Sequence, residues 1–262
     1  MSYQCILFEV KEGIARLTLN RPERLNSFNT QMHEEVRAAL ASIPASGARV
    51  LVISGAGRGF CAGQDLNDRA VAPGGGPPDL AASIEKYYKP LVLALRSLPM
   101  PVIAAVNGVA AGAGANIALA CDLVIAARSA NFVQAFSKLG LVPDSGGTWF
   151  LPRLVGTARA LGLTLLGDKL SAEQAVSWGL IWRCVEDGEL AGVVESLARQ
   201  LAVAPTRGLA RTRQAIYESW GRTLEQQLDT ERDYQGELGR TADYAEGVAA
   251  FAAKRAPNFS GR

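Results

Sequence analysis

The architecture of this chain is read most directly from Val106-Asn-Gly-Val-Ala-Ala-Gly-Ala-Gly-Ala-Asn116, a turn that follows a short apolar strand. The high density of glycine and alanine lets a ligand approach the main chain closely, so that peptide N–H groups can act as hydrogen-bond donors. A helix beginning near Ala113 would add the positive end of its dipole to whatever anion lies there. Tight packing at a strand–helix turn would require the same composition, so this segment alone leaves both interpretations open.

A second glycine-rich turn, Ser54-Gly-Ala-Gly-Arg-Gly-Phe-Cys-Ala-Gly-Gln-Asp-Leu66, also follows a buried strand. Its Gly57-x-Gly59-x-x-Ala62 nominally fits the dinucleotide-binding fingerprint. That fingerprint also requires a helix and then a strand that ends in an acidic residue about 20 positions later. In this region the chain has the loop Pro73-Gly-Gly-Gly-Pro-Pro78 instead, which cannot form regular structure. The sequence context therefore argues against a dinucleotide site.

Strand and helix patterns alternate through the first part of the chain. The predicted elements are an antiparallel hairpin of 5–10 and 14–20, a capped helix over 30–43, strands at 49–54 and 101–106, and a helix over about 81–98. Strands separated by helices favour parallel pairing, so the predicted class is α/β. Beyond Pro205 only helices are predicted, over about 206–219, 223–238 and 241–254. We therefore expect a core over residues 1–200 and a helical C-terminal region over residues 201–262.

The composition argues against several classes of function. A formal net charge of +2, spread without long runs of one sign, does not favour a nucleic-acid surface. No basic and then apolar segment opens the chain, and no apolar run reaches membrane-spanning length. The four cysteines are far apart and form no CxxC pair, so we expect free thiols in a cytoplasmic protein. The single histidine, His33, is expected on the exposed side of a helix, which leaves acid–base work to carboxylates and disfavours a metal site.

Only two acidic residues, Asp122 and Asp144, occur between positions 86 and 167. Asp144 lies in the turn Gly140-Leu-Val-Pro-Asp-Ser-Gly-Gly147 between apolar segments. Such surroundings disfavour the charged form of a carboxyl and raise its proton affinity towards that of a useful base. The alternatives are a solvated loop residue or a helix N-cap ahead of Thr148. Asp122, which follows an apolar run, is expected to be a structural acid at the start of a strand.

A set of motifs resembles, in order and spacing, the crotonase (enoyl-CoA hydratase/isomerase) superfamily. They are Arg21-Pro-Glu-Arg-Leu-Asn26, Gly59-Phe-Cys-Ala-Gly-Gln-Asp-Leu66, the blocks 107–122 and 140–147, Ala175-x-x-Trp-Gly-Leu180 and Phe251-x-x-Lys-Arg-x-Pro-x-Phe259. The resemblance covers essentially the entire chain. It implies a spiral of ββα turns with a helical region that builds a trimer or a dimer of trimers. It also implies an acyl-CoA thioester substrate, with coenzyme A as part of that substrate and no separate cofactor.

The resemblance further implies which residues bind the thioester. The peptide N–H groups of Gln64 and Ala113 would hold the thioester oxygen in an oxyanion hole, and Gly112 and Gly114 would shape the turn. Many relatives have glycine where Ala113 stands. The other contacts to coenzyme A would come from the main chain around Leu25, Ala62, Asp65 and Leu66 and, from a neighbouring subunit, from Lys254. Phe136 and Phe132 are candidates to line the pocket for the acyl ring, and the alternative for either is a place in the hydrophobic core. The alternative for Lys254 is a solvated helix end.

This chain departs from the hydratases of the superfamily at two positions. The hydratases place two glutamates in the pocket, where this chain has Asn116 and Phe136, and neither side chain exchanges a proton at neutral pH. Asp144 stands where hydratases commonly have glycine and where isomerases often carry an acid. We therefore expect an acyl-CoA isomerase in which Asp144 shuttles a proton. The alternatives are a general Δ3,Δ2-enoyl-CoA isomerase or hydratase of fatty-acid oxidation, or a non-catalytic acyl-CoA-binding subunit.

Overall fold

The computed structural model describes residues 3–68 and 78–262 as an α/β protein. In these ranges the strands are β1 (Ile6–Lys11), β2 (Ile14–Leu19), β3 (Val50–Gly55), β4 (Gly59–Cys61), β5 (Val102–Val106), β6 (Val109–Ala111), β7 (Leu123–Ala127), β8 (Asn131–Val133), β9 (Lys169–Ser171) and β10 (Arg183–Val185). The α-helices are α1 (Thr30–Ser42), α2 (Leu80–Ser83), α3 (Lys89–Ser97), α4 (Ala113–Leu119), α5 (Gly147–Leu166), α6 (Ala172–Ser177), α7 (Leu190–Ala202), α8 (Thr206–Ser219), α9 (Leu224–Leu238) and α10 (Ala242–Ala252). The predicted loop at 73–78 lies outside the described residues, apart from Pro78.

The chain begins with the predicted antiparallel hairpin of β1 and β2. Its two-residue turn is Glu12-Gly13, and both residues have positive φ, 53° and 74°. This is the geometry of the tight hairpin turn whose twist matches that of the flanking strands. The first helix also begins as predicted, because the side chain of Asn29 accepts a hydrogen bond of 2.8 Å from Met32 N–H and so caps α1.

Two sheets position the remaining elements. One has the strand order β1-β2-β3-β5-β7-β10 and the other β4-β6-β8-β9. Each is parallel apart from one antiparallel pair, β1 with β2 and β8 with β9. In each of the successive pairs β3–β4, β5–β6 and β7–β8, the first strand lies in the six-stranded sheet and the second in the four-stranded sheet. Each pair lies one strand position further along both sheets than the pair before it, and this progression produces a spiral of ββα turns. Strands β3, β5 and β7 are largely buried, which explains their continuous apolar runs.

The segment predicted as one helix over 81–98 is not a continuous α-helix. It consists of α2, a π-helical turn at Ile84–Tyr88, and α3. Short π-helical turns are rare and frequently lie at functional sites. This turn directs Tyr88 into the interior, where the residue is fully buried and its hydroxyl donates a hydrogen bond of 2.8 Å to Oε1 of Gln64.

The prediction that His33 is exposed is wrong. The residue is only 6% accessible and lies among three aromatic rings, with centroid distances of 4.6 Å to Phe28, 5.0 Å to Tyr87 and 4.5 Å to Tyr88. Two of these rings come from the π-helical segment, far along the chain from α1. The acidic neighbours of His33 in the sequence therefore gave no information about what covers it in the fold.

Helices α8, α9 and α10 follow the last strand as predicted. Thr223 caps α9 in a capping box with Gln226, and the Thr241 side chain caps α10 by accepting a hydrogen bond from Tyr244 N–H. Among the residues that the structure describes, no helix is both long and apolar enough to cross a membrane.

Asp122 attaches α8 to the sheet core, in agreement with its prediction as a structural acid. It immediately precedes β7, and its carboxylate accepts hydrogen bonds from Val102 N–H at 2.7 Å and from Arg213 Nε at 3.0 Å. The Tyr217 hydroxyl donates to the same carboxylate. Arg213 also donates to the main-chain carbonyl of Leu95 at 3.0 Å. The side chains of Arg213 and Asp122 are only 9% and 13% exposed, so this ion pair attaches α8 to the core in a place that is largely shielded from solvent.

Candidate active site

The two glycine-rich turns meet at the end of β4 and the start of α4. A methyl group built on Gly63 would lie 2.9 Å from the carbonyl oxygen of Ala111 and 3.3 Å from the peptide nitrogen of Ala113. Gly63 also has a φ of +90°, so this close approach requires both its backbone conformation and its missing side chain. The predicted oxyanion-hole residues, Gln64 and Ala113, are therefore neighbours in space.

The peptide N–H of Gln64 faces the side on which Ala113 lies. In the bridge between Phe28 and Gln64, Phe28 N–H donates to the Gly63 carbonyl at 2.7 Å and Asp65 N–H donates to the Phe28 carbonyl at 2.9 Å. In such a parallel bridge the N–H of the central residue, Gln64, points away from Phe28. The opposite edge of β4 pairs with β6, which leads into α4. Neither Gln64 N–H nor Ala113 N–H has an acceptor among the described residues.

Gly112, Gly114 and Phe136 form the walls of the turn before α4. Gly112 is the N-cap residue, with φ 53° and ψ −125°, and its N–H donates to the Val133 carbonyl at 2.8 Å. A methyl group on Gly114 would lie 2.2 Å from the Cys61 carbonyl oxygen, so α4 packs directly on β4. Phe136 is buried, and its Cζ lies 3.7 Å from where a methyl group on Gly112 would be. An apolar ring therefore borders the predicted thioester site.

Asp144, the predicted base, lies in the turn between the 3₁₀ helix Ala135–Leu139 and α5. It is half-buried, and the Ser145 hydroxyl donates a hydrogen bond of 2.9 Å to its Oδ1. Ser145 and Gly146 have φ values of 51° and 85°. For Ser145 this left-handed conformation costs about 1–3 kcal/mol, which the surrounding contacts must offset. The N-cap of α5 is Gly146 and no side chain caps the helix, so the alternative of Asp144 as the N-cap is wrong.

Asn116 reaches the same turn from α4. It is completely buried, and its Nδ2 donates a hydrogen bond of 2.8 Å to the main-chain carbonyl oxygen of Asp144. Its Oδ1 accepts a hydrogen bond of 2.8 Å from Nε2 of Gln134. Sequence reasoning missed this contact. The signal for it was a polar side chain within an apolar helical run, because a buried amide needs hydrogen-bond partners.

Three of the residues predicted to cradle coenzyme A lie in or against the glycine-rich turn that carries Gln64: Ala62 and Leu66 belong to this turn, and Leu25 contacts it. Ala62 N–H donates to the Leu25 carbonyl at 2.9 Å. Leu25 has a φ of 50°, an unusual value for a bulky side chain. The side chain of Leu66 is 59% exposed.

Asp65, the fourth predicted contact, is engaged inside the protein. Its carboxylate forms an ion pair of 2.9 Å with Arg21 and accepts a hydrogen bond of 3.0 Å from Asn67 N–H. Burial by itself would raise the pKa of Asp65, but the hydrogen bonds from Arg21 and Asn67 hold this pKa below its ordinary value. The carboxylate therefore serves to fix the turn, and the main chain of Asp65 contributes to the same turn through the hydrogen bond from its N–H to the Phe28 carbonyl.

Lys254 ends α10 in a left-handed conformation, with φ 53°. Its N–H donates to the Phe251 carbonyl at 3.2 Å, and Arg255 N–H donates to the Ala250 carbonyl at 3.1 Å. These two bonds form the helix-ending motif in which glycine is usually found at this position. Lys254 is exposed, and its contact with coenzyme A stays a prediction.

A cleft of about 370 Å³ opens beside the Gln64 side chain, between the start of α1 and residues 78–87. A separate cavity of about 900 Å³ lies between α3, α5 and α8 and contains none of the predicted site residues. The larger of these two cavities is therefore not the one beside a predicted site residue.

The cysteines are unpaired thiols, as predicted. Burial raises the pKa of Cys61 to about 12 and also raises the pKa of Cys121. Neither thiol is a nucleophile at neutral pH, although Cys61 lies against α4. Within residues 3–68 and 78–262, no three His, Cys, Asp or Glu side chains come together as ligands of a metal ion.

Comparisons with known proteins identify the family of this chain. The family model described as enoyl-CoA hydratase/isomerase matches residues 9–262. The chain belongs to the enoyl-CoA hydratase/isomerase family. Within this family, the chain is 60% identical to the 1,2-epoxyphenylacetyl-CoA isomerase of Escherichia coli (strain K12) over 258 residues, and this alignment covers 98% of each chain. It is 48% identical over 262 residues, the whole of both chains, to the "Probable enoyl-CoA hydratase" of Rhodobacter capsulatus.

A solved structure of the family matches the fold along nearly the full length. The crystal structure of an enoyl-CoA hydratase from Bacillus anthracis superposes with a TM-score of 0.93 at 32% sequence identity, covering 99% of this chain and 100% of that one. The predicted superfamily and the predicted spiral fold with its helical C-terminal region are therefore confirmed.

Proposed function

We propose that this member of the enoyl-CoA hydratase/isomerase family converts ring-1,2-epoxyphenylacetyl-CoA to oxepin-CoA, with Asp144 as the proton-transferring group. The observation that carries the proposal is the 60% identity, over 98% of both chains, to the Escherichia coli enzyme named 1,2-epoxyphenylacetyl-CoA isomerase. The motifs at 61–69, 136–140 and 231–235 support the same assignment, because their combination resembles that isomerase.

The thioester oxygen is held by the peptide N–H groups of Gln64 and Ala113. Removal of a proton from the carbon next to the thioester carbonyl places negative charge on that oxygen. Donors that are already in position stabilise this charge, and one such donor contributes about 2.7–4 kcal/mol in the transition state. The approach of Gly63 to the Ala113 nitrogen, and the lack of another acceptor for either N–H among the described residues, support this role.

Asp144 moves the proton from one carbon of the substrate to another. The ring epoxide is in valence exchange with a seven-membered oxepin. Asp144 takes a proton from the side-chain methylene and returns it to a ring carbon, so that the double bonds shift while no atom is gained or lost. The product is a conjugated ylidene thioester. The Ser145 hydroxyl, which donates to Oδ1 at 2.9 Å, stabilises the ionised carboxylate that accepts the proton.

The remaining contacts follow from the same proposal. Main-chain atoms of Leu25, Ala62, Asp65 and Leu66 cradle coenzyme A, and Lys254 of a neighbouring subunit meets its phosphates. Apolar side chains on the C-terminal helices are widely exposed, with Leu224 at 76% and Phe251 at 88%, which supports self-association as a trimer or a dimer of trimers. The unpaired cysteines support a reducing, cytoplasmic compartment.

Replacement of the base tests the proposal directly. Asp144→Asn keeps the size of the side chain but removes its proton affinity, so the isomerisation rate should fall by about 10²–10⁴-fold. Binding of phenylacetyl-CoA, which lacks the epoxide, should be unchanged. The substrate would be made in situ by its epoxidising oxygenase, with the product followed by mass and absorbance. Asp168→Asn, which changes an exposed acid beyond α5, is the matched control. An Asp144→Asn variant that retains the wild-type rate would exclude this base.

The family also contains hydratases, and the site makes a distinct prediction about that activity. Activation of water requires a second group that exchanges protons, and this chain has Asn116 and Phe136 at the positions concerned. We therefore expect hydration of crotonyl-CoA to be slow compared with isomerisation. Parallel assays of crotonyl-CoA, a 3-enoyl-CoA and the ring epoxide would check this. Fast hydration would contradict the assignment, and preference for the 3-enoyl-CoA would favour a general Δ3,Δ2-enoyl-CoA isomerase. Failure to exchange the α proton of any thioester would indicate a non-catalytic binding subunit.

A further inference from the structure

The main-chain carbonyl of Asp144 is held by two donors. Asn116 Nδ2 lies 2.8 Å from this oxygen, and Gly147 N–H donates to it at 2.9 Å. The first donor comes from α4, whose first residue, Ala113, carries a proposed oxyanion-hole N–H. A single helix therefore connects the group that binds the thioester oxygen with the loop that carries the base.

The direction of each hydrogen bond in this chain of contacts is fixed by chemistry. A carbonyl oxygen can only accept, so Asn116 must present its Nδ2 to Asp144. The Oδ1 of Asn116 then faces Gln134, and because an amide oxygen also only accepts, Gln134 must present its Nε2, at 2.8 Å. Both amides are buried, Asn116 completely and Gln134 with 3% exposure. Water is therefore a poor substitute for either partner.

The packing leaves this arrangement little freedom. A methyl group on Gly147 would lie 2.4 Å from Asn116 Nδ2 and 2.9 Å from Cβ of Pro143. The amide thus fits against the main chain of the turn without a gap. Ser145, directly after the base, is held at φ 51°, a conformation that persists only where neighbouring contacts impose it.

We propose that Asn116 is a positioning residue that fixes the main chain of Asp144 against α4, and that Gln134 orients the Asn116 amide. This inference rests on the proposed function, because it gives Asn116 the role of placing the base that the proposed function requires. Where related hydratases carry a proton-exchanging glutamate, this chain carries an amide that aims the base. Proton transfer depends steeply on geometry, and a misplacement of 1 Å can cost roughly 10²-fold in rate.

Two variants test the role. Asn116→Leu keeps the shape of the side chain but removes the donor to Asp144, and we expect kcat to fall by roughly 10–100-fold with KM unchanged. Gln134→Met removes only the orienting donor and should give a smaller fall of the same kind, which keeps the test valid if Asn116→Leu does not fold. The matched control is Asn131→Ala, on β8 and three residues before Gln134, whose side-chain oxygen has no partner among the described residues. Thermal unfolding of each variant separates lost stability from lost rate.

A double-mutant cycle separates this inference from the proposed function. If Asn116 acts by placing Asp144, Asn116→Leu should cause no further loss in an Asp144→Asn background. A wild-type isomerisation rate for Asp144→Asn would overturn the assignment of Asp144 as the base in the proposed function, and an undetectable isomerisation rate for the wild type would overturn the proposed function itself. A large loss for Asp144→Asn combined with a wild-type kcat per folded molecule for both Asn116→Leu and Gln134→Met would overturn only the positioning role. An equal loss from Asn116→Leu in both backgrounds would also overturn it.

Discussion

At the residue scale, Gly63 shows how much of the site depends on a missing side chain. Gly63→Ala would place a methyl group 2.9 Å from the Ala111 carbonyl oxygen on a backbone with φ +90°. We expect a loss of about 1–3 kcal/mol in the free energy of unfolding and a fall in kcat/KM, because the Ala113 N–H is pushed from its place. Urea unfolding and the isomerisation assay would measure the two effects.

The control for that substitution is Gly162→Ala, in the exposed part of α5. A methyl group there meets nothing within 4 Å, and alanine favours a helix interior over glycine by about 1 kcal/mol. Gly162→Ala should therefore raise stability and leave the rate unchanged. If both glycine variants behave alike, the close approach at Gly63 has no role in the site.

Strained residues are the part of the site that sequence patterns could not predict. Leu25, Ser145 and Lys254 all have positive φ, and each adjoins a residue of the proposed site or is one. A glycine at these positions would have signalled an unusual turn, but a leucine, a serine and a lysine give no such signal. The strain becomes visible only once the tertiary contacts that impose it are known.

At the scale of elements, the attachment of α8 depends on one buried ion pair. Arg213→Met would leave the Asp122 carboxylate buried without its cationic partner and would remove donors to the main-chain carbonyls of α3. Breaking a buried pair in this way costs about 3–5 kcal/mol, so we expect a marked fall in the unfolding midpoint. Arg232→Met, which breaks an exposed pair with Asp229, should cost at most about 1 kcal/mol. Similar losses from both variants, measured by urea unfolding, would refute the structural role of Asp122.

Element boundaries were predictable where local chemistry sets them. The Asn29 cap, the Glu12-Gly13 turn and the helices after Pro205 are all specified by neighbouring residues. The π-helical turn at Ile84–Tyr88 was not predictable, because its periodicity differs little from that of an α-helix over five residues. Its reason is tertiary: it buries Tyr88 beside Gln64 and covers His33. Local patterns do not report such long-range requirements.

At the scale of the whole molecule, the spiral explains how residues far apart in the sequence would contribute to the one proposed site. Gln64 follows β4, Ala113 follows β6, and Asp144 lies in the segment after β8. These three strands pair in parallel with one another in the same sheet. The segment that follows the carboxyl end of each strand therefore contributes one group. The family resemblance predicted which residues these are, whereas the hydrogen bond from Asn116 to the main chain of Asp144 became evident only from the folded structure.

The exposed apolar side chains of the C-terminal helices lead to a prediction about assembly. We expect the protein to be a trimer or a dimer of trimers, and the double variant Leu224→Glu with Phe251→Glu to dissociate it, because both side chains are more than three-quarters exposed in a single subunit. Light scattering after size-exclusion chromatography would measure the mass. The control is Leu7→Glu, a 55% exposed leucine on β1. A monomeric wild type, or a double variant of unchanged mass, would contradict the prediction.

The hydrogen bonds from Asn116 and Gly147 engage only the peptide oxygen at position 144. They would form equally well with any amino acid there, since every residue has that oxygen. A substitution at position 144 would therefore change the side chain while the main chain of the turn, and its attachment to the helix that begins at the proposed oxyanion-hole residue Ala113, stayed in place. The anchoring of the loop thus allows the proposed base to change in evolution independently of the proposed thioester-binding groups.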